Sequence, residues 1–118
     1  MPKDTSVDAE RLDEMNAKKR RIDREERFIF GQFLKRHRNA RGFTQPQLAE
    51  RVGQNYFTVI SQIENGSGKI PQTDIELWAQ ALNLNTQDLA KAFVKAYDRP
   101  LFDALFAPED RHTICDAD

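Results

Sequence analysis

Within VGQNYFTVISQIENG, residues 52–66, aliphatic residues fall at helical intervals, and Thr58, Ser61 and Gln62 stand between them. Counted at about 100° per residue, Ile60 and Ile63 set a buried direction, Tyr56 falls near it and Phe57 lies at its margin. Thr58, Ser61 and Gln62 point the other way. An outer face that met only water would ordinarily carry Lys or Glu, whereas this one carries two hydroxyls and an amide. Such groups donate and accept hydrogen bonds at base edges. A Gln pairs bidentately with adenine, and a Thr methyl or a Phe edge packs on the methyl of thymine. The plain alternative is a solvated polar face, which composition alone does not separate from a reading face.

A reading face must be held by its neighbours, and the flanking sequence supplies them. Thr44-Gln45-Pro46-Gln47 has the form of a helix start: a Thr cap, a proline in the first turn where its missing N–H is harmless, and a Gln placed to complete a capping box. The helix it opens has Leu48, Ala49 and Val52 on one side and stops at Gly53. The next helix starts almost at once, with Asn55 as its expected N-cap and Asn65-Gly66 as its end. Two short helices joined at a glycine describe a helix-turn-helix, whose second helix can lie in the major groove.

An earlier helix begins near Phe28. Phe30, Phe33, Leu34 and His37 recur on one face, and Gly42 is placed as a left-handed cap. His37, on that apolar face, reads as a core or boundary histidine. After the loop GSGKIP, a fourth helix is expected from about Thr73 to Leu82, with Ile75, Trp78, Ala79 and Leu82 inward. A fifth is expected from Thr86 to Tyr97, with Leu89 and Phe93 inward. No stretch alternates apolar and polar residues with β-branched enrichment, so the fold class is all-α, a compact bundle of five short helices.

Residues 1–27 form a charged N-terminal arm of helix-permissive composition, with a thin apolar stripe of Leu12, Met15 and Ile22. Residues 28–97 form the helix-turn-helix domain, and residues 98–118 an extension and tail. In that extension Leu101, Phe102, Leu105 and Phe106 make a short amphipathic segment after Pro100.

The formal net charge of −1 neither announces nor excludes a polyanionic partner. Its distribution says more. Eight basic and eight acidic residues balance in 1–27, six basic face two acidic in 28–72, and four face nine in 73–118. Lys18-Lys19-Arg20-Arg21, with Arg24 and Arg27, suits an arm reaching phosphates, or else a solvated helix face. Cys115 is the single cysteine, which precludes an intrachain disulfide, and His37 and His112 have no ligand-spaced companions. No catalytic residues, metal or cofactor are expected, since no phosphate-cradling glycine loop or activated nucleophile is present. No apolar run approaches the roughly 20 residues of a membrane span. The expectation is a soluble, cytoplasmic protein.

The run LKRHRNARGFTQPQLAERVGQNYFTVISQIENG, followed by a Pro-containing loop and LWAQALNL, resembles the XRE family of helix-turn-helix regulators, the group of the phage Cro and repressor proteins. The likeness covers about Phe30 to Leu89. It rests on several elements in order: Arg-x-x-Gly-hydrophobic-Thr-Gln, Leu-Ala, Ile-Ser-x-Ile-Glu-Asn-Gly and an Ala-x-x-Leu helix. It implies a lambda-repressor-like five-helix bundle that binds double-stranded DNA. By the same resemblance Gln45 meets a phosphate at the start of the second helix. Phe57, Thr58 and Gln62 match positions used at bases, to which the outward Ser61 is added. Asn65 and Lys69 match a loop that touches the backbone, and Asn55 and Tyr56, in the turn, are placed with the phosphate contacts. Glu64 is expected to anchor the bundle by pairing with a basic residue. One departure is visible: Gln54 to Ile63 is one residue longer than the family's usual nine between the turn glycine and that Glu.

A dimer would let two such modules read a pseudo-palindrome, and the apolar C-terminal segment offers a surface for a second subunit. The resulting expectation is a sequence-specific transcriptional regulator, a repressor by family likeness. Its rival is an antitoxin-like or adaptor module that holds a protein partner with its acidic C-terminal half.

Overall fold

The computed structural model of the chain describes residues 2–106, with side chains described from residue 9 onward. Cys115, His112 and the expected tail lie outside the described residues. The elements in order are α1 (Pro2–Ala40), α2 (Gln45–Arg51), α3 (Phe57–Glu64), a 3₁₀ turn (Gln72–Asp74), α4 (Ile75–Leu82), α5 (Thr86–Tyr97) and α6 (Arg99–Phe106). The described chain is all-helical, as expected, but with six α-helices rather than five. The amphipathic segment after Asp98 is itself a helix. Its carboxylate explains the start, because Asp98 Oδ1 accepts the Leu101 N–H at 3.2 Å. The fourth helix begins at Ile75 instead of Thr73, because Pro71 and the tight turn after it hold Gln72–Asp74 in 3₁₀ geometry.

The helix ends follow from local chemistry. At α2 the capping box is complete: Thr44 Oγ1 accepts the Gln47 N–H at 3.2 Å, and Gln47 Oε1 accepts the Thr44 N–H at 2.8 Å. Asn85 caps α5 by accepting the Asp88 N–H at 2.9 Å. Four helices stop in the same way, with a left-handed residue just past the end at Gly42, Gly53, Gly66 and Asn83. At each, the following N–H turns back to a carbonyl five residues earlier, as in Phe43 to Arg38, Gln54 to Ala49, Ser67 to Gln62 and Leu84 to Ala79.

α1 packs on α5 and α3, α2 on α3, α4 on α5 and α6 on α5. Leu34, Leu48, Ile60, Ile63, Trp78 and Leu89 are fully enclosed between them. Each such aliphatic side chain stabilises the fold by about 1.5–3 kcal/mol relative to exposure. The closest approach is at Gly31 of α1. A Cβ there would collide with the Glu64 carbonyl and lie 2.6 Å from the Ile63 carbonyl oxygen, so glycine is what lets the end of α3 rest on α1. No break in α1 marks the expected boundary near residue 28: helix continues from the charged arm into the bundle.

Candidate nucleic-acid interface

α3 is a short helix fixed at its far end and open along its outer face. Ile60, Ile63 and Glu64 are buried, while Thr58 and Gln62 are exposed and Ser61 is half-buried. The angular reading of this helix therefore matches its burial, with Ser61 at the flank. Phe57 opens the helix and leaves 51% of its surface exposed.

Tyr56 corrects the sequence reading. It lies before the helix with extended backbone (φ −128°, ψ 132°) and is 71% exposed, so its ring does not turn inward. Projection at 100° per residue does not apply to a residue outside the helix. Asn55 is corrected too. α3 caps at Tyr56 without a side-chain hydrogen bond, which leaves Asn55 one residue too early to cap and exposed in the turn. The connection between α2 and α3 thus runs through Gln54 and Asn55 to the cap at Tyr56.

The far end of α3 is locked by a charged knot. Arg38, on α1, donates from Nε to Glu64 Oε2 at 2.6 Å and from Nη2 to Oε1 at 3.2 Å. Its Nη1 donates to the Phe43 carbonyl at 2.7 Å, so one guanidinium ties α1, the α1–α2 turn and α3 together. Both partners are buried, a setting in which the pair holds only because its hydrogen bonds are met. The basic partner expected for Glu64 is Arg38, a residue that helical periodicity alone did not single out. Gln45 joins the knot, donating from Nε2 to Glu64 Oε1 at 3.0 Å, and Gln32 Nε2 donates to the Glu64 carbonyl at 3.1 Å. Gln45 therefore links the start of α2 to the end of α3.

The loop after α3 is equally fixed. Asn65 Oδ1 accepts from Ser67 N at 2.9 Å and from Ser67 Oγ at 2.7 Å. Tyr97, on α5, donates its hydroxyl to the Gly68 carbonyl at 2.6 Å. Burial raises the Tyr97 pKa, and the nearby Arg27 charge opposes that rise. Lys69 folds back over α5, its Nζ 5.7 Å from the Phe93 ring centroid and 5.8 Å from that of Tyr97. The structure brings Thr58, Ser61, Gln62 and Phe57 together on one helix. It draws Lys69 toward α5 instead.

The positive charge of the middle segment is dispersed. Arg38 is buried, Arg41 Nε donates to the Ala81 carbonyl at 3.3 Å, and Arg51 stacks 4.4 Å from the Phe43 ring centroid. α3 itself carries no Lys or Arg. Its outer face thus presents neutral donors and acceptors, chemistry suited to base edges more than to phosphates. Among the described residues no cluster of His, Cys, Asp and Glu could hold a metal ion, and no helix is long and apolar enough to cross a membrane.

Among known proteins, a family model described as a helix-turn-helix matches residues 34–101, more than half of the 118 residues. No curated protein matches the chain.

Proposed function

This chain belongs to the XRE, Cro/C1-type family of DNA-binding helix-turn-helix regulators, and from that premise we propose that it is a transcriptional repressor in which α3 reads bases. The observation that carries the reading is the outer face of α3. Thr58 and Gln62 are exposed on it, one turn apart, while the opposite face and the far end are fixed by Ile60, Ile63 and the Arg38–Glu64 pair. Rigid placement of hydrogen-bonding side chains is what a reading helix needs, because a flexible one loses discrimination to ordering entropy.

In this reading Phe57, Thr58, Ser61 and Gln62 meet bases. Gln45 and the start of α2, the turn residues Asn55 and Tyr56, and Asn65 and Lys69 of the following loop grip the backbone. Gln45 supports the role by position: anchored on Glu64, it keeps a second amide hydrogen for a phosphate oxygen. Lys69 reaches a phosphate only by leaving the α5 rings. Two copies bind a pseudo-palindromic operator, and occupancy near a promoter blocks polymerase.

The test is a pair of substitutions measured on an operator duplex. Gln62→Ala costs about 1–3 kcal/mol and relaxes specificity at one base position, whereas Gln45→Ala weakens binding to all sequences alike. Binding also weakens steeply with salt, since each phosphate neutralised releases counterions. Equal, sequence-independent losses from both variants would refute base reading by α3.

A further inference from the structure

The outer half of α1 carries more apolar surface than a solvated helix needs. Leu12 (55%), Met15 (60%) and Ile22 (41%) remain exposed along it, and Ile29 (60%) continues them just past it. They share one stripe, since spacings of three and seven residues return to the same side of a helix. That stripe faces away from the Gly31 contact with α3. It borders two cavities that follow one another along α1. One, about 580 Å³, lies between residues 15–23 of α1 and the first turn of α6. The other, about 210 Å³, lies between residues 26–36 and α5. Together they mark a shallow furrow along that side of α1, crossed between them by the ion pair of Arg99, which lines the first, and Glu26, which lines the second, 4.0 Å apart.

We propose that the furrow is filled by α1 of a second copy, running antiparallel about a two-fold axis near Ile22. Charge selects this occupant. Lys18 and Lys19 lie on one side of Ile22, and Glu25 and Glu26 on the other. An antiparallel pair sets each lysine pair against the second copy's glutamates, twice, and Met15 against the second copy's Ile29. A parallel pair would set lysine on lysine. An acidic or basic foreign helix would satisfy only half of the pattern, because residues 1–27 are balanced in charge.

Distance agrees with a duplex. Gly31, where α3 docks, is nine residues from Ile22, so the two docking points lie about 27 Å apart along the paired helices at about 1.5 Å per residue. Each α3 lies across α1 from the furrow. Adding the sideways offsets of packed helices, about 8–10 Å each, brings the two α3 helices to roughly 35–40 Å. Successive major grooves on one side of a duplex are about 34–36 Å apart. The inference thus rests on the dimeric reading above and gives it an interface.

Its test needs no DNA, which keeps it separable from base reading. In a full-length Cys115→Ser background, Ile22→Cys and Leu12→Cys are compared by mild oxidation and by sedimentation. The antiparallel pair predicts a dimer, with crosslinking through position 22 and none through position 12, where the two copies are about 30 Å apart. Lys18→Glu with Lys19→Glu weakens self-association by about tenfold, and adding Glu25→Lys with Glu26→Lys restores it. Crosslinking at both positions would show parallel pairing and overturn the proposal. A monomer, or a dimer that crosslinks at neither position, overturns it too. If these fail while a library selection still yields a motif, the interface is wrong and base reading stands.

Discussion

The two halves of α1 share one helix and almost nothing else. From residue 28 to 40 the helix buries Phe30 and Leu34, admits α3 at Gly31 and sends Arg38 into a buried pair. From residue 9 to 27 nearly every side chain faces solvent, and the pair between Lys19 and Asp23, 3.9 Å apart one turn along, is a weak local tie. The inner half is specified by what it touches. The outer half is helical through propensity and continuity, and its apolar stripe awaits a partner. Secondary structure therefore reports little about a segment's role until its contacts are known.

Four substitutions sharpen the contrast, taken from the greatest effect to the least. Glu64→Ala leaves Arg38 buried without its carboxylate and lowers stability by about 3–5 kcal/mol in urea unfolding. A loss below about 1 kcal/mol would mean that water reaches the knot. Gly31→Ala forces a methyl onto the Glu64 carbonyl and costs about 1–3 kcal/mol, read as a lower thermal midpoint.

Tyr97→Phe removes the hydrogen bond to Gly68 and costs about 1 kcal/mol at neutral pH. It also changes the alkaline limb. Because burial raises the Tyr97 pKa in the folded chain, the unfolded chain gives up that proton first. The contribution is whole below about pH 10 and is lost as pH rises through the folded value. Wild type therefore loses stability there faster than Tyr97→Phe does. Denaturant midpoints from pH 8 to 11 would show the difference, and parallel curves would deny it. Ile22→Ala, last in order, shifts the stability of the dilute monomer by no more than about 0.5 kcal/mol. A larger shift would mean that the outer half is already packed within one chain.

Much of the inner region was legible in the sequence because its signals are local. The Thr44–Gln47 box, the terminal glycines and the α5 boundaries each depend on residues within a few positions of one another. The outward direction of Thr58 and Gln62 followed from Ile60 and Ile63 for the same reason. Errors arose where the outcome depended on distant contacts or on a non-helical residue. The angular count places Tyr56 on a helix it does not join. Arg38 carries no sequence signal, because a buried cation is visible only with its partner, 26 residues away. The place of Lys69 depends on rings of α5, and Gly31 is silent in the sequence because its role exists only where two helices cross. The furrow along α1 was likewise unreadable, since α6 had first to be placed beside it.

Base reading by α3 is decided by selection of bound sequences from a random duplex library at near-physiological salt, with wild type run beside a Thr58→Ala/Gln62→Ala double variant that keeps its fold. The prediction is an inverted repeat enriched by wild type and lost in the double variant, with the half-sites about one helical turn apart. If both proteins enrich the same motif, or neither enriches any, α3 is not the reader.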